Sequence, residues 1–242
     1  MRVGWLVGVT LATAVAASMP ACQEVENAPE TEALSNSLHT LPFMNSTPGL
    51  EVHAVRSIRQ VIVHRIAVMP LIDEPDVVDR SLPTGAAGSI TAQLYARANV
   101  IGGWEVVPQD DVDSALQQMP PTTPADMDRN ALELGRKLSA DGVIYGSVHR
   151  YRERVGFDYA AQKPAAVAFV LKFVDENSKQ VVWTARFARE QKSLAENVFD
   201  LPNFLSHGGR WVRARDIAAE GVQSALANLQ SKLTVQPVVQ GK

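Results

Sequence analysis

Residues 134–148, Leu-Gly-Arg-Lys-Leu-Ser-Ala-Asp-Gly-Val-Ile-Tyr-Gly-Ser-Val, decide the fold, because they carry the end of a helix, a corner and a strand in one uninterrupted stretch. Upstream, Met127, Ala131, Leu134 and Leu138 recur at spacings of four, three and four, the apolar stripe of an amphipathic helix. Thr123-Pro124-Ala125-Asp126 opens that helix. The hydroxyl can take an orphan amide proton, the proline stands where no donor is needed, and the acid sits at the positive end. Ala140-Asp141-Gly142 makes the corner, and Val143 to Val148 is the strand. Gly146 in its middle has no side chain, so something packs closely there: another backbone, a helix or a ligand.

Gln60 to Leu71, QVIVHRIAVMPL, is the first convincing strand, rich in Val and Ile and stopped by Pro70. Residues 84 to 100 read as a helix with Ile90, Leu94 and Ile101 on one face. Trp104 to Pro108 is a short strand. Asp110 or Asp111 then caps a short helix whose Val112, Ala115, Leu116 and Met119 face inward, ended by Pro120-Pro121. Downstream of the corner, Val167, Phe169, Leu171 and Phe173 alternate on one strand, and Val181, Trp183, Ala185 and Phe187 on the next. The polar turn Asp175 to Lys179 joins them as an antiparallel hairpin. The second strand's other face, Val182, Thr184, Arg186 and Ala188, is mixed and fits a half-solvated surface. A closing helix runs from about Gly209 to Lys232, lined by Ala214, Ala218, Val222, Ala225 and Leu229. Early βαβ crossovers imply parallel pairing and the hairpin adds antiparallel strands. The expected class is α/β, a mixed sheet of about five strands packed by helices.

The N-terminus carries a different signal. Arg2 precedes the uncharged run 3–17, VGWLVGVTLATAVAA, and Ser18-Met19-Pro20-Ala21 breaks it before Cys22, the only cysteine of the chain. A charged start, a short apolar core and a small residue before the cut describe a secretory signal peptide, too short in its core for a comfortable membrane span. Ala21-Cys22 resembles the lipobox of bacterial lipoproteins, which implies acylation of Cys22, and Gln23 after it resembles the outer-membrane sorting pattern. Residues 23–49 are rich in Glu, Asn, Ser, Thr and Pro without a sustained period, the composition of a tether. The expected organisation is signal peptide 1–21, lipidated cysteine and linker 22–59, α/β domain 60–233 and tail 234–242.

A formal charge of −3 and a pI near 6.0 argue against a nucleic-acid partner. A lone cysteine permits no disulfide within the chain, and an acylated one is withdrawn from thiol chemistry.

Ile66-Ala67-Val68-Met69-Pro70-Leu71 and the 134–148 stretch together resemble the periplasmic α/β domain shared by the curli secretion lipoprotein, the lipoprotein activators of penicillin-binding proteins and the N-terminal domain of TolB. The hairpin with Trp183 and the final amphipathic helix continue the likeness over residues 60–233. The resemblance implies a non-catalytic scaffold or docking subunit on the periplasmic side of the outer membrane. It would serve peptidoglycan synthesis or a secretion or transport assembly. A small-ligand-binding protein and a subunit of a secretion channel are the alternatives, although the connections 151–164 and 189–208 are shorter and more charged than pore hairpins. An enzyme is least favoured.

No cofactor, catalytic or metal site is expected. The five histidines at 39, 53, 64, 149 and 207 show no ligand spacing, although His64 and His149 lie on or beside strands that can be neighbours. Gly85-Ala86-Ala87-Gly88-Ser89 precedes a helix without the lysine of a phosphate loop. Asp73, Glu74, Asp76 and Asp79 form an acidic loop, and Ser206-His207 are adjacent in a connection with no triad pattern. Two features point to an envelope protein partner. Arg150, Arg152 and Arg154 project from one side if the strand continues, toward an acidic protein, glycan or lipid headgroup, or into solvent. Phe199, Phe204 and Trp211 lie in an irregular connection, where aromatic groups either cover a sheet edge or anchor a partner. The membrane is met through the lipid, and self-association is left open.

Overall fold

A computed structural model describes residues 48–77, 82–101, 103–157, 160–191 and 212–235. The decisive stretch forms α3 (Met127–Leu138) and β6 (Gly142–Arg152). Before it come β1 (Leu50–Ala54), a 3-10 turn (Arg56–Gln60), β2 (Ile62–Val63), β3 (Arg65–Val68), β4 (Ile72–Asp73), α1 (Ala86–Ile101), β5 (Glu105–Val106) and α2 (Gln109–Leu116). After it come β7 (Val155–Phe157), β8 (Ala160–Lys163), β9 (Ala166–Asp175), β10 (Gln180–Glu190), α4 (Ala214–Lys232) and β11 (Thr234–Val235).

The main sheet runs β1-β10-β9-β6-β3-β5, with β4 also on β6, seven strands in all among the described residues. β3 is parallel to β5 and to β6, as is β4 to β6, while β6, β9, β10 and β1 are successively antiparallel. The class is therefore α/β with a mixed sheet, widened beyond five strands by β1 and β4. The expected first strand, 60–71, is divided. Gln60 closes the 3-10 turn, β2 pairs separately with β11, and β3 and β4 lie along β6 on either side of Pro70. Thr91 of α1 bridges that break, its Oγ1 accepting the Leu71 amide at 2.9 Å.

Helices cover both faces. α1 and α4 pack on one, around Ile66, Val68, Ile90, Leu94, Phe169, Phe173, Trp183 and Phe187. α2 and α3 pack on the other, around Met69, Val112, Met127, Leu134, Val143 and Tyr145. The second pair covers the β3–β6 half and reaches Val174 and Val181 at the turn end of the β9–β10 hairpin. Over β9, β10 and β1 the same face shows partly or fully exposed Val170, Thr184, Arg186, Ala188, Glu51 and His53.

A bulge between Val181 and Trp183 changes the expected alternation of β10. Val182 turns into the core beneath α4, while Val181 packs against the α2–α3 cluster. A second bulge, between Val148 and Arg150, displaces His149 from the ladder. The expected cap of α2 also differs. Pro108 holds the cap position with no side-chain bond, and Asp110 and Asp111 fall in the first turn, where carboxylates still favour the positive end. The Thr123 hydroxyl donates to the Asp126 carboxylate at 2.8 Å instead of accepting an amide. At Gly146 the close neighbour is backbone: an added Cβ would stand 1.9 Å from the carbonyl oxygen of Val170.

Candidate functional site

The corner that ends α3 is a staple. Ser139 adopts the left-handed conformation at φ 51°, which turns the chain out of the helix. Asp141 then accepts the amides of His64 at 2.6 Å and Arg65 at 2.8 Å, and Arg65 reaches the Leu138 carbonyl at 2.9 Å. Asp175, buried at the hairpin turn, accepts the Ser178 amide at 2.8 Å. A concavity of about 420 Å³ passes His64, Asp141, Asp175 and Glu176. Two of its carboxylates are thus held by backbone amides.

The acidic loop after β4 is likewise engaged. The Asp73 carboxylate accepts the Ala87 amide at 3.3 Å, so the glycine-bearing start of α1 faces the chain's own anion. His149 Nδ1 lies 2.9 Å from the Glu74 carbonyl, which can only accept, so that nitrogen carries the proton and Nε2 accepts the Ser147 hydroxyl at 3.1 Å. This Ser-x-His pair went unread in the sequence, although two residues on one side of a bulged strand signal it. A hydroxyl bonded to an imidazole is half of a nucleophile–base arrangement. Ser147 is only 4 % exposed, however, and here the pair fastens the β4 loop to β6. Tyr145, fully buried, donates to Asp128 at 2.9 Å, and Lys172 meets the same carboxylate at 2.9 Å. Burial first, then the bond to Asp128 and its charge, push the Tyr145 hydroxyl far above the ordinary phenol range, which keeps it a donor. Among the described residues no cluster of three or more His, Cys, Asp or Glu can hold a metal, and no helix is long and apolar enough to cross a membrane.

The sheet pole where β6 and β10 end gathers the arginines. Arg150 pairs with Asp76 at 2.6 Å and approaches Glu190 at 3.7 Å, while Arg152 pairs with Glu190 at 2.5 Å and donates to the Pro164 carbonyl at 3.3 Å. Arg150 and Arg152 stand on the same face, opposite Ala168 and Ala166 of β9. β6 stops at Arg152, so Arg154 lies beyond the strand, in the link to β7. Glu153, between them, accepts the Ala214 amide at 3.2 Å and so holds the start of α4. Gln191, buried just after β10, accepts the Val212 amide at 3.1 Å. The two ends of the connection 192–211 therefore meet beside Arg152 and Glu153. Phe199, Phe204 and Trp211 lie outside the described residues, as do Cys22, the leader and Asp79.

No family model matches the chain, and no curated protein matches it. Solved structures with a similar coarse fold include the PelC dodecamer from Paraburkholderia phytofirmans. It is 16% identical at a TM-score of 0.47, over 75% of this chain and 96% of that one. The lipoprotein GNA1162 from Neisseria meningitidis is 24% identical at 0.37, over 60% and 92%. The LpoB C-terminal domain from Salmonella enterica is 19% identical at 0.37, over 53% and 83%.

Proposed function

We propose that this chain is a non-catalytic, lipid-anchored periplasmic protein of the outer membrane that docks an envelope assembly. The observation that carries the reading is Cys22 directly after an apolar leader. The conversion of Asp73, Asp141 and Asp175 into backbone staples supports it, since these carboxylates are spent on the fold. Lipid attachment at Cys22 would place the domain at a membrane, and Gln23 would direct it outward. Mass spectrometry of the native N-terminal peptide should find acylated Cys22, and Cys22→Ser should move the protein from the membrane fraction into the soluble one. A wild-type protein with unmodified Cys22 in the soluble fraction would sink the anchor.

The partner surface we assign to the pole of Arg150, Arg152 and Arg154 together with Phe199, Phe204 and Trp211 of the adjoining connection. Aromatic anchors would supply affinity, and the charge network would orient an acidic partner, whether in peptidoglycan synthesis or in secretion. Crosslinking in intact envelopes would identify that partner. Phe204→Ala combined with Trp211→Ala should then weaken its capture by about 30-fold or more, the loss of one or two hot-spot residues, with unchanged circular dichroism. Undiminished capture removes this surface.

A further inference from the structure

We propose that two copies of this chain pair through β1, joining their sheets edge to edge in antiparallel fashion about Val52. The two ends of the sheet are managed differently. β5 is two residues long and is followed by Pro108, so it offers almost no template for another strand. β1 is five residues long with no proline, lysine or bulge, and among the described residues nothing pairs with its outer side. The Ala188 amide bonds the Gly49 carbonyl at 2.8 Å, and the Val55 amide bonds the Val182 carbonyl at 3.0 Å. Odd-numbered residues of β1 thus spend their backbone groups on β10. Those of Leu50, Val52 and Ala54 point outward, unpaired within the sheet.

The sequence of that edge is its own complement. In an antiparallel pairing centred on Val52, each Leu50 opposes Ala54 of the second copy, and Val52 opposes Val52. These half-buried apolar residues extend the core beneath α4. On the other face each exposed Glu51 opposes the exposed His53 of the second copy, in a non-hydrogen-bonded pair where side chains approach most closely. Arg186 lies opposite Glu51 on the inner side and Thr184 opposite His53, so the face would read Arg, Glu, His, Thr across the junction. A concavity of about 480 Å³ already runs along Glu51, Val52, His53, Thr184 and Arg186. About six backbone bonds would form, with two cross-copy Glu–His contacts. A two-residue slip in register would place Glu51 against Glu51 or His53 against His53, so the match of carboxylate to imidazole fixes the alignment.

The test is cysteine crosslinking and sedimentation of the full chain. Val52→Cys should give a disulfide-linked dimer, because facing residues of a hydrogen-bonded pair have Cα atoms about 5.5 Å apart, within disulfide range. Leu50→Cys should not, since its symmetry mate would be about 13 Å away along the strand. Glu51→Lys should weaken the dimer about tenfold by removing the carboxylate from both cross-copy Glu–His pairs. The swap Glu51→His with His53→Glu restores the cross-copy pairs and should restore the dimer, which separates lost pairing from lost folding. A monomeric wild type, equal crosslinking at Leu50 and Val52, or a folded swap variant that stays monomeric overturns the proposal. Crosslinking of Val52→Cys to a different protein also overturns it and identifies a foreign strand as the occupant.

Discussion

Replacing Trp183 with Ala should lower the stability of the domain by about 3–5 kcal/mol, the cost of emptying a large aromatic site in a closed core. Trp183 is 1 % exposed, lies on β10 at the inner edge of the bulge, and donates from Nε1 to Asn228 of α4 at 3.2 Å. The substitution removes the indole from between sheet and helix and strips Asn228 of its donor. Domains have about 5–15 kcal/mol in all, so the variant should unfold at a far lower urea concentration or fail to accumulate. Asn228→Ala, which removes the bond alone, should cost only about 1 kcal/mol. A midpoint for Trp183→Ala close to wild type would mean that α4 can collapse onto β10 without the indole.

Gly146→Ala should destabilise by about 3 kcal/mol, the upper end of overpacking costs. An unobstructed glycine gains about 0.4–1 kcal/mol on becoming alanine, because the unfolded chain has fewer states to lose. Here the new methyl meets the Val170 carbonyl oxygen at 1.9 Å and the carbonyl carbon at 2.9 Å. Both are backbone atoms of β9, which cannot swing aside as a side chain does. The two effects have opposite signs, so chemical denaturation decides between them: a stabilised variant would refute the close approach of β6 and β9.

The periodic segments were legible because their burial is one-sided and local. Met127 to Leu138 repeats at helical spacing, and Val167 to Phe173 alternates without interruption, so α3 and β9 could be read directly. β1 was absorbed into the linker: Leu50-Glu51-Val52-His53-Ala54 alternates over only five residues, and the partner that makes it a strand lies 137 residues away at Phe187. The bulge that exchanges Val181 and Val182 answers to α4 and to the α2–α3 cluster, neither of which is encoded near it. Of the candidate site, Arg150 to Arg154 announced a charged strand end, but its counter-charges, Asp76 and Glu190, come from elements remote in sequence. An isolated run of arginines therefore reads more basic than the folded pole is.

The place of β1 beside β10 also sets an order of events. A chain made from its N-terminus produces β1 early, yet Leu50 cannot find Phe187 until 137 further residues exist. The β9–β10 hairpin, closed by a turn of a few residues, needs no such delay and can nucleate long before the ends of the chain meet. Within the main sheet, β1 is thus the strand whose docking is slowest by connectivity. Until it arrives, the exposed border of the growing sheet is β10, eleven residues long and lined on one side by Trp183 and Phe187. The period of greatest aggregation hazard is therefore this interval, when a long hydrophobic strand stands ready and the short segment that should cover it is still searching.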